Sequence, residues 1–269
     1  GKTKSIGKWL LSEYMRLGFA GFIYDFKDTD YTRTAYNLIK RHRYPHKFYY
    51  VSFDRPERSY RFNPLKVVRD RTELIQLMED VLLALLPKKE QQNEWVAGGL
   101  GILRGVAFRF WDEFPEHCTL PHILAFIMTA SARQLSLFLQ QNLVSEMLAG
   151  AYLKAEGSEK TQASYLSTLC NNLATVSQNE EIAYVLSGDD FDFNLIDPEN
   201  PKLFAVSNNF SKNSVYAPVI SMLMTISARQ FSMQNRVPFV YFLDEMTTVN
   251  IKNFETLPSV LREYKAAFI

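Results

Sequence analysis

Apolar and polar positions along the first part of the chain follow two different rhythms. Residues 4–17 place Ile6, Leu10, Leu11, Tyr14 and Leu17 on one helical face, and Gly18 predicts the end of that helix. The run Phe22-Ile23-Tyr24 closing at Asp25 predicts a buried strand. A polar helix is expected over 29–43, a second strand over 48–53, and an amphipathic helix over 72–86 stopped by Pro87. Helix and strand taking turns predict a parallel sheet with helices on its faces. From residue 91 to 186 the rhythm is helical only, broken at Pro115, Pro121 and Gly157. A loop rich in Asp, Asn and Pro follows over 187–201. Alternation then returns, with strands over 203–206, 239–243 and 266–269 and helices over 215–231 and 254–262. A helical block is therefore expected inside an α/β fold.

Length and composition add bounds. The chain has 269 residues, of which 47% are hydrophobic, enough for a sizeable core. Lys and Arg number 30 against 29 Asp and Glu, so any contact with nucleic acid has to come from local patches. Two cysteines, Cys118 and Cys170, form no disulfide framework and point to a reducing cytoplasm. No apolar stretch approaches the ~20 residues that span a bilayer, and no signal peptide is legible. The chain starts without Met and stops on a strand, Ala266-Ala267-Phe268-Ile269, so a piece of a longer protein is expected.

Three groups of residues carry candidate chemistry. Gly1-Lys2-Thr3 ahead of a helix matches the tail of G-x-x-x-x-G-K-[ST]. In that loop backbone amides cradle phosphates, the lysine reaches the β and γ phosphates, and the hydroxyl binds Mg2+. Three residues alone fit an ordinary surface turn as well. The strand Phe239-Val240-Tyr241-Phe242-Leu243 ends in Asp244-Glu245. An acid there can hold the Mg2+ water shell, and the next one can orient and deprotonate an attacking water. Acids also end many strands without function, and it is the combination with the Gly-Lys-Thr start that favours nucleotide chemistry. Arg262 lies eighteen residues beyond Asp244. It can reach the γ-phosphate held by a neighbouring subunit of a ring, or stand as a solvated helix-end arginine favoured by the helix dipole.

In order and spacing these motifs resemble the type IV coupling proteins, the DNA-pumping ATPases of conjugation within the FtsK-HerA class of translocases. The resemblance covers nearly the whole chain. It rests also on Asp25-Phe26-Lys27, Phe62-Asn63-Pro64-Leu65, Pro201-Lys202-Leu203-Phe204, Ala217-Pro218-Val219-Ile220 and Leu257-Pro258-Ser259-Val260-Leu261-Arg262. It implies a RecA-like P-loop ATPase core divided into 1–90 and 187–269, with an all-α domain inserted over 91–186. ATP and Mg2+ are the implied cofactors. Gly1, Lys2, Thr3 and Asp244 would bind them, Thr3 and Asp244 on the metal side, and Glu245 and Arg262 would be catalytic. The implied partners are DNA, single-stranded and read with weak sequence specificity, relaxase and relaxosome proteins, type IV secretion channel components, and five further copies in a hexamer. A membrane anchor ahead of the chain and a place at the cytoplasmic face of the inner membrane are also implied. An assembly ATPase of the secretion channel, or a docking scaffold acting through the helical block, are the alternatives.

Other clusters have simpler readings. The basic run Lys40-Arg41-His42-Arg43-Tyr44-Pro45-His46-Lys47 could touch phosphates but reads as a solvated helix end. His117-Cys118 with His122 lacks a fourth zinc ligand and is expected to pack a helix boundary. Asp189, Asp190 and Asp192 lack the alternation of a calcium loop. Trp95, Leu103, Trp111, Phe126 and Phe138 are expected in the core of the helical block.

Overall fold

The computed structural model describes residues 6–26, 29–86, 91, 93–232, 234–251 and 254–269. The α/β alternation resolves into strands β1 (Ala20–Asp25), β2 (Lys47–Ser52), β3 (Lys202–Ser207), β4 (Phe239–Leu243) and β5 (Ala266–Phe268). They form one sheet in the order β2-β3-β1-β4-β5. All four pairings are parallel, so the carboxyl ends of the strands share one edge. β1 and β3 are buried at every position. A strand covered on both faces has no polar side to show, hence the unbroken apolar runs in the sequence.

Two layers of helix cover the sheet. On one face α1 (Lys8–Arg16) and α2 (Asp30–His42) bring Leu11, Met15, Tyr31, Ala35 and Leu38 against Ile23, Leu203 and Phe242. The buried face of α1 is Leu11 and Met15, one turn apart. Ile6 and Leu17 stay 56% and 59% exposed, so only part of the apolar stripe expected from the sequence reaches the core. Gly18 ends α1 in the left-handed conformation, with φ 74°. The Phe19 amide then donates to the Tyr14 carbonyl (3.1 Å), the Gly18 amide donates to that of Met15 (3.1 Å), and the Tyr14 and Phe19 rings meet edge-on at 4.9 Å. That is a complete helix stop with its hydrophobic contact. On the other face of the sheet, α11 (Asn213–Arg229) packs over Tyr241, its Ser227 hydroxyl 2.9 Å from the tyrosine hydroxyl. The helix expected over 254–262 is a 3-10 turn, Phe254–Thr256, followed by α12 (Leu257–Arg262).

The chain separates into two compact units, Gly1–Phe62 with Gly188–Ile269, and Asn63–Ser187. The second is helical. It takes in α3 (Arg71–Leu85), which the alternation in the sequence groups with the first strands. Its central helix is α4 (Glu94–Glu113), which packs on α3, on α7 (Leu143–Leu148) and on α9 (Glu159–Ser177). Glycine makes this approach possible. A Cβ at Gly101 would lie 2.8 Å from the Leu148 carbonyl, and one at Gly105 would lie 2.9 Å from that of Ser145. The core so formed is mostly aliphatic, with Leu77, Ile102, Leu103, Val106, Leu135 and Leu173 fully buried. Of the large side chains expected there, Leu103 is in the core. Trp95, Trp111, Phe126 and Phe138 are only half-buried. Backbones this close leave little room for rings between them, so the rings pack at the rim: Trp95 on Tyr165 (5.3 Å), and Phe126 on Phe138 (4.3 Å).

Candidate nucleotide site

The carboxyl edge of the sheet collects Asp25 from β1, Ser207-Asn208 from β3 and Asp244-Glu245 from β4. The Asp244 amide donates to the Tyr24 carbonyl at 3.0 Å, which carries the β4–β1 ladder one residue past β4. Asp244 is thus held by the central strand, half-buried, while Glu245 is exposed. Glu245 has φ 53° and ψ 53°, a left-handed conformation uncommon outside glycine. Strain of this kind needs surrounding structure to hold it. Here the Thr248 amide (2.9 Å) and hydroxyl (2.7 Å) both donate to the Glu245 carbonyl.

Behind that turn runs a chain of hydrogen bonds whose direction can be assigned. The Asn209 amide donates to Asn208 Oδ1 (2.8 Å), which leaves Asn208 Nδ2 as a donor, to Tyr24 Oη (2.8 Å) and to Asn213 Oδ1 (2.7 Å). Thr248 spends its hydroxyl proton on Glu245, so Tyr24 is the donor in the 2.6 Å contact with Thr248. Burial, and then the negative charges of Asp244 and Asp25, push the Tyr24 hydroxyl above its ordinary pKa, against the effect of these hydrogen bonds. The phenol therefore stays protonated and donating. Tyr24, Asn208 and Thr248 have no motif in the sequence. They are found only because the fold brings the ends of β1, β3 and β4 together.

Asp25 sits fully buried at the end of β1. Its Oδ2 accepts from both the amide and the hydroxyl of Thr32 at 2.8 Å. It thereby caps the first turn of α2, where a carboxylate also meets the positive end of the helix dipole.

Gly1, Lys2 and Thr3 lie outside the described residues. Arg262 is exposed at the last turn of α12. Its carbonyl accepts from Lys265, whose own carbonyl accepts from Phe239, the first residue of β4. Arg262 therefore stands at the amino edge of the sheet, and the structure does not bring it to Asp244 of the same chain. The run 40–47 spans the end of α2, where His42 contacts Ser12 (2.8 Å) and His46 contacts the Gly18 carbonyl (2.8 Å). Cys118 is buried, its thiol pushed up to about 12 by burial, and Thr119 beside it caps α5 (Leu120–Thr129) by accepting from the His122 amide. Asp190 and Asp192 accept from the amides of Arg61 and Asn194 and so shape the loop before β3. Among the described residues no group of three acids, histidines or cysteines is placed to hold a metal.

The family model for type IV secretory system conjugative DNA transfer matches residues 23–269, and the chain belongs to that family. No curated protein matches it by sequence. Similar solved structures include the bacterial conjugative coupling protein TrwBdeltaN70 in a trigonal form with sulphate, at 14% identity and a TM-score of 0.62. Others are the plasmid coupling protein TrwB with ADP and Mg2+ (13%, 0.61) and with the non-hydrolysable ATP analogue ADPNP (13%, 0.64). In each of the three the match covers 93% of this chain and 62% of the other, so the chain spans about three fifths of those structures. At this identity they show the fold, a RecA-like P-loop core with a parallel sheet and an inserted helical part. Among the described residues no helix is long and apolar enough to cross a membrane.

Proposed function

We propose that the chain is the motor part of an ATP-driven DNA translocase, a coupling protein that delivers a relaxase–DNA substrate to a type IV secretion channel. The observation that supports it most is Asp244-Glu245 on a held turn at the carboxyl edge of a parallel sheet, the edge where open α/β folds bind ligands, in a chain of the conjugative DNA transfer family. The residues suit ATP with Mg2+. Mg2+ takes one or two carboxylates together with phosphate oxygens and water, and the half-buried Asp244 offers one such carboxylate. Gly1, Lys2 and Thr3, which lie outside the described residues, would complete the cradle, the Lys2 ammonium serving the phosphates and the Thr3 hydroxyl the metal. When bound, the ion draws charge from the phosphates being separated.

This chain's own groups do the rest. Glu245, exposed beside Asp244, orients the attacking water and accepts its proton. The hydrogen-bonded chain from Asn208 through Tyr24 and Thr248 keeps the Glu245 backbone in place. Arg262, on the opposite edge of its own sheet, serves the site of a neighbouring copy in a hexameric ring. Its guanidinium fork matches charge spread over a transferring phosphoryl group. In the full-length protein at the cytoplasmic face of the inner membrane, Lys2→Ala should abolish hydrolysis and DNA transfer. Mixing Arg262→Ala with Glu245→Gln subunits, each inactive alone, should restore part of the hydrolysis, because some interfaces then pair an intact Glu245 with an intact Arg262. Mixed rings that form and stay inactive would remove Arg262 from the mechanism. Normal turnover in Lys2→Ala would remove the motor reading itself.

A further inference from the structure

Away from the Asp244 turn, the α/β unit has a cleft of about 800 Å3 walled by Arg33, Arg55, Arg58, Tyr36, Tyr50 and Tyr60. Its residues come from three elements. Arg33 and Tyr36 are three apart on α2 and so share a face. Tyr50 is on β2. Beyond β2 the chain makes a 3-10 turn, Pro56–Arg58, and folds back, the Tyr60 amide donating to the Tyr50 carbonyl at 3.0 Å. Backbone and serine bonds hold this return: the Arg55 amide donates to Ser52 Oγ, and the Ser52 amide to Ser59 Oγ, both at 3.2 Å. None of these bonds uses a guanidinium group.

The nearby acids neutralise these arginines only in part, Arg55 acting on Asp54 by charge alone. Asp30 is engaged by Lys8 at 2.6 Å, and Asp54 by Lys212 at 3.0 Å. Glu57 stands 3.9 Å from Arg58 with both side chains largely in solvent. Among the described residues, Arg33 and Arg55 have no ion pair. Tyr36 and Tyr60 are 61% and 42% exposed, a large aromatic surface at the mouth of a cationic cleft in a protein with almost balanced net charge. Arginine forks match phosphate oxygens, and exposed tyrosine faces match unstacked bases. A duplex offers phosphates but no free base faces, whereas a single strand offers both.

We propose that this cleft binds single-stranded DNA, with phosphodiester oxygens on Arg33, Arg55 and Arg58 and a base against Tyr36 or Tyr60. The choice of DNA rests on the translocase reading, while the binding itself needs no ATP. The test is fluorescence anisotropy of the 269-residue chain with a labelled oligothymidylate, without nucleotide, over a range of salt. Wild type should bind. The triple variant Arg33→Gln/Arg55→Gln/Arg58→Gln should lose about tenfold or more in affinity, and its slope of log affinity against log salt should flatten by about 2, at about 0.7 per phosphate contact on a single strand. Tyr36→Ala should weaken binding about fivefold or more, and Tyr36→Phe should restore it, because stacking needs the ring and not the hydroxyl. Lys40→Gln/Arg41→Gln/Arg43→Gln removes the same charge at the end of α2, outside the cleft, and should cost no more than about twofold.

No binding by the wild type, or equal losses in the two triple variants, would overturn the proposal. So would equally tight, equally arginine-dependent binding of duplex, or displacement of the oligonucleotide by a free mononucleotide. If the triple variant fails to fold, Arg55→Gln in the exposed return carries the salt-slope measurement alone. Lys2→Ala, which tests the motor, should leave this nucleotide-free binding intact, so the two readings can fail separately.

Discussion

In the α/β unit, several buried polar side chains gather at the carboxyl edge of the sheet, while Lys202 and Asn235 are buried at the amino edge. Tyr24 and Asn208 meet there and hold the turn that carries Asp244 and Glu245, and Asp25 beside them caps α2. In the helical unit, most of the polar side chains that bond to the backbone end helices instead. Asn63, Thr119, Ser131, Asn142 and Asn179 each cap a first turn, and Ser131 with Gln134 closes a full capping box. A buried arginine there, Arg109, pairs with Glu113 at 2.9 Å and lies over the Phe138 ring at 4.2 Å. A parallel sheet exposes all its strand ends on one side, so its polar ends can be assembled into a site. A helix bundle scatters its ends, and its polar groups serve the helices one at a time. The helical unit also presents apolar surface, with Leu143 and Met147 on α7 exposed by 72% and 73%.

The strongest perturbation of this contrast is Phe22→Ala. Phe22 is fully buried, with the Phe204 and Tyr241 rings at 5.1 and 5.9 Å. Its truncation should cost about 3–5 kcal/mol. Hydrogen exchange should show protection lost from β1, β3 and β4 while α4 and α9 keep theirs. Simultaneous loss in both would mean the two units unfold as one.

Gly101→Val makes the converse test. The added carbons press on the Leu148 carbonyl, and the strain should cost about 1–3 kcal/mol. Here protection should fall in α4 and α7 and persist in the strands.

Thr248→Val should cost only about 1 kcal/mol, the net worth of a hydrogen bond. It cuts the link between Tyr24 and the Glu245 carbonyl, so in the full-length protein it should lower turnover more than nucleotide affinity. An unchanged turnover number would show that the turn holds itself.

The smallest effect concerns the ion pair Asp54–Lys212, 3.0 Å long and partly solvated. The lysine's hydrogen bond holds the Asp54 carboxyl below its ordinary range. A depressed carboxylate contributes stability that is complete above the unfolded pKa and lost as pH falls through the folded one. Lys212→Met should therefore cost under about 1 kcal/mol at neutral pH. The difference from wild type should vanish in acid, below the range where a free aspartate titrates. A difference that grows in acid would contradict the pairing.

The strands and most helices of the α/β unit were legible because burial on both faces leaves a local trace: β4 was bounded at 239 and 243 by its apolar run alone. Asp244 and Glu245 were legible because they end that run. The buried face of the first helix and the core of the helical unit were less so. Apolar spacing marks a stripe but not how much of it meets a partner, and Ile6 and Leu17 stayed outside. Nor does hydrophobicity alone separate Leu103, which fits between close helices, from Trp95 and Phe138, which do not. What the sequence by itself determined is what neighbouring residues encode: period, helix stops, and the acids at a strand's end. The tertiary structure alone decided the partners of Tyr24, the edge on which Arg262 stands, and the meeting of Arg33 with Arg55 and Arg58. Each depends on which strands lie side by side, and parallel pairing joins residues as far apart as Tyr24 and Thr248, which no local pattern records.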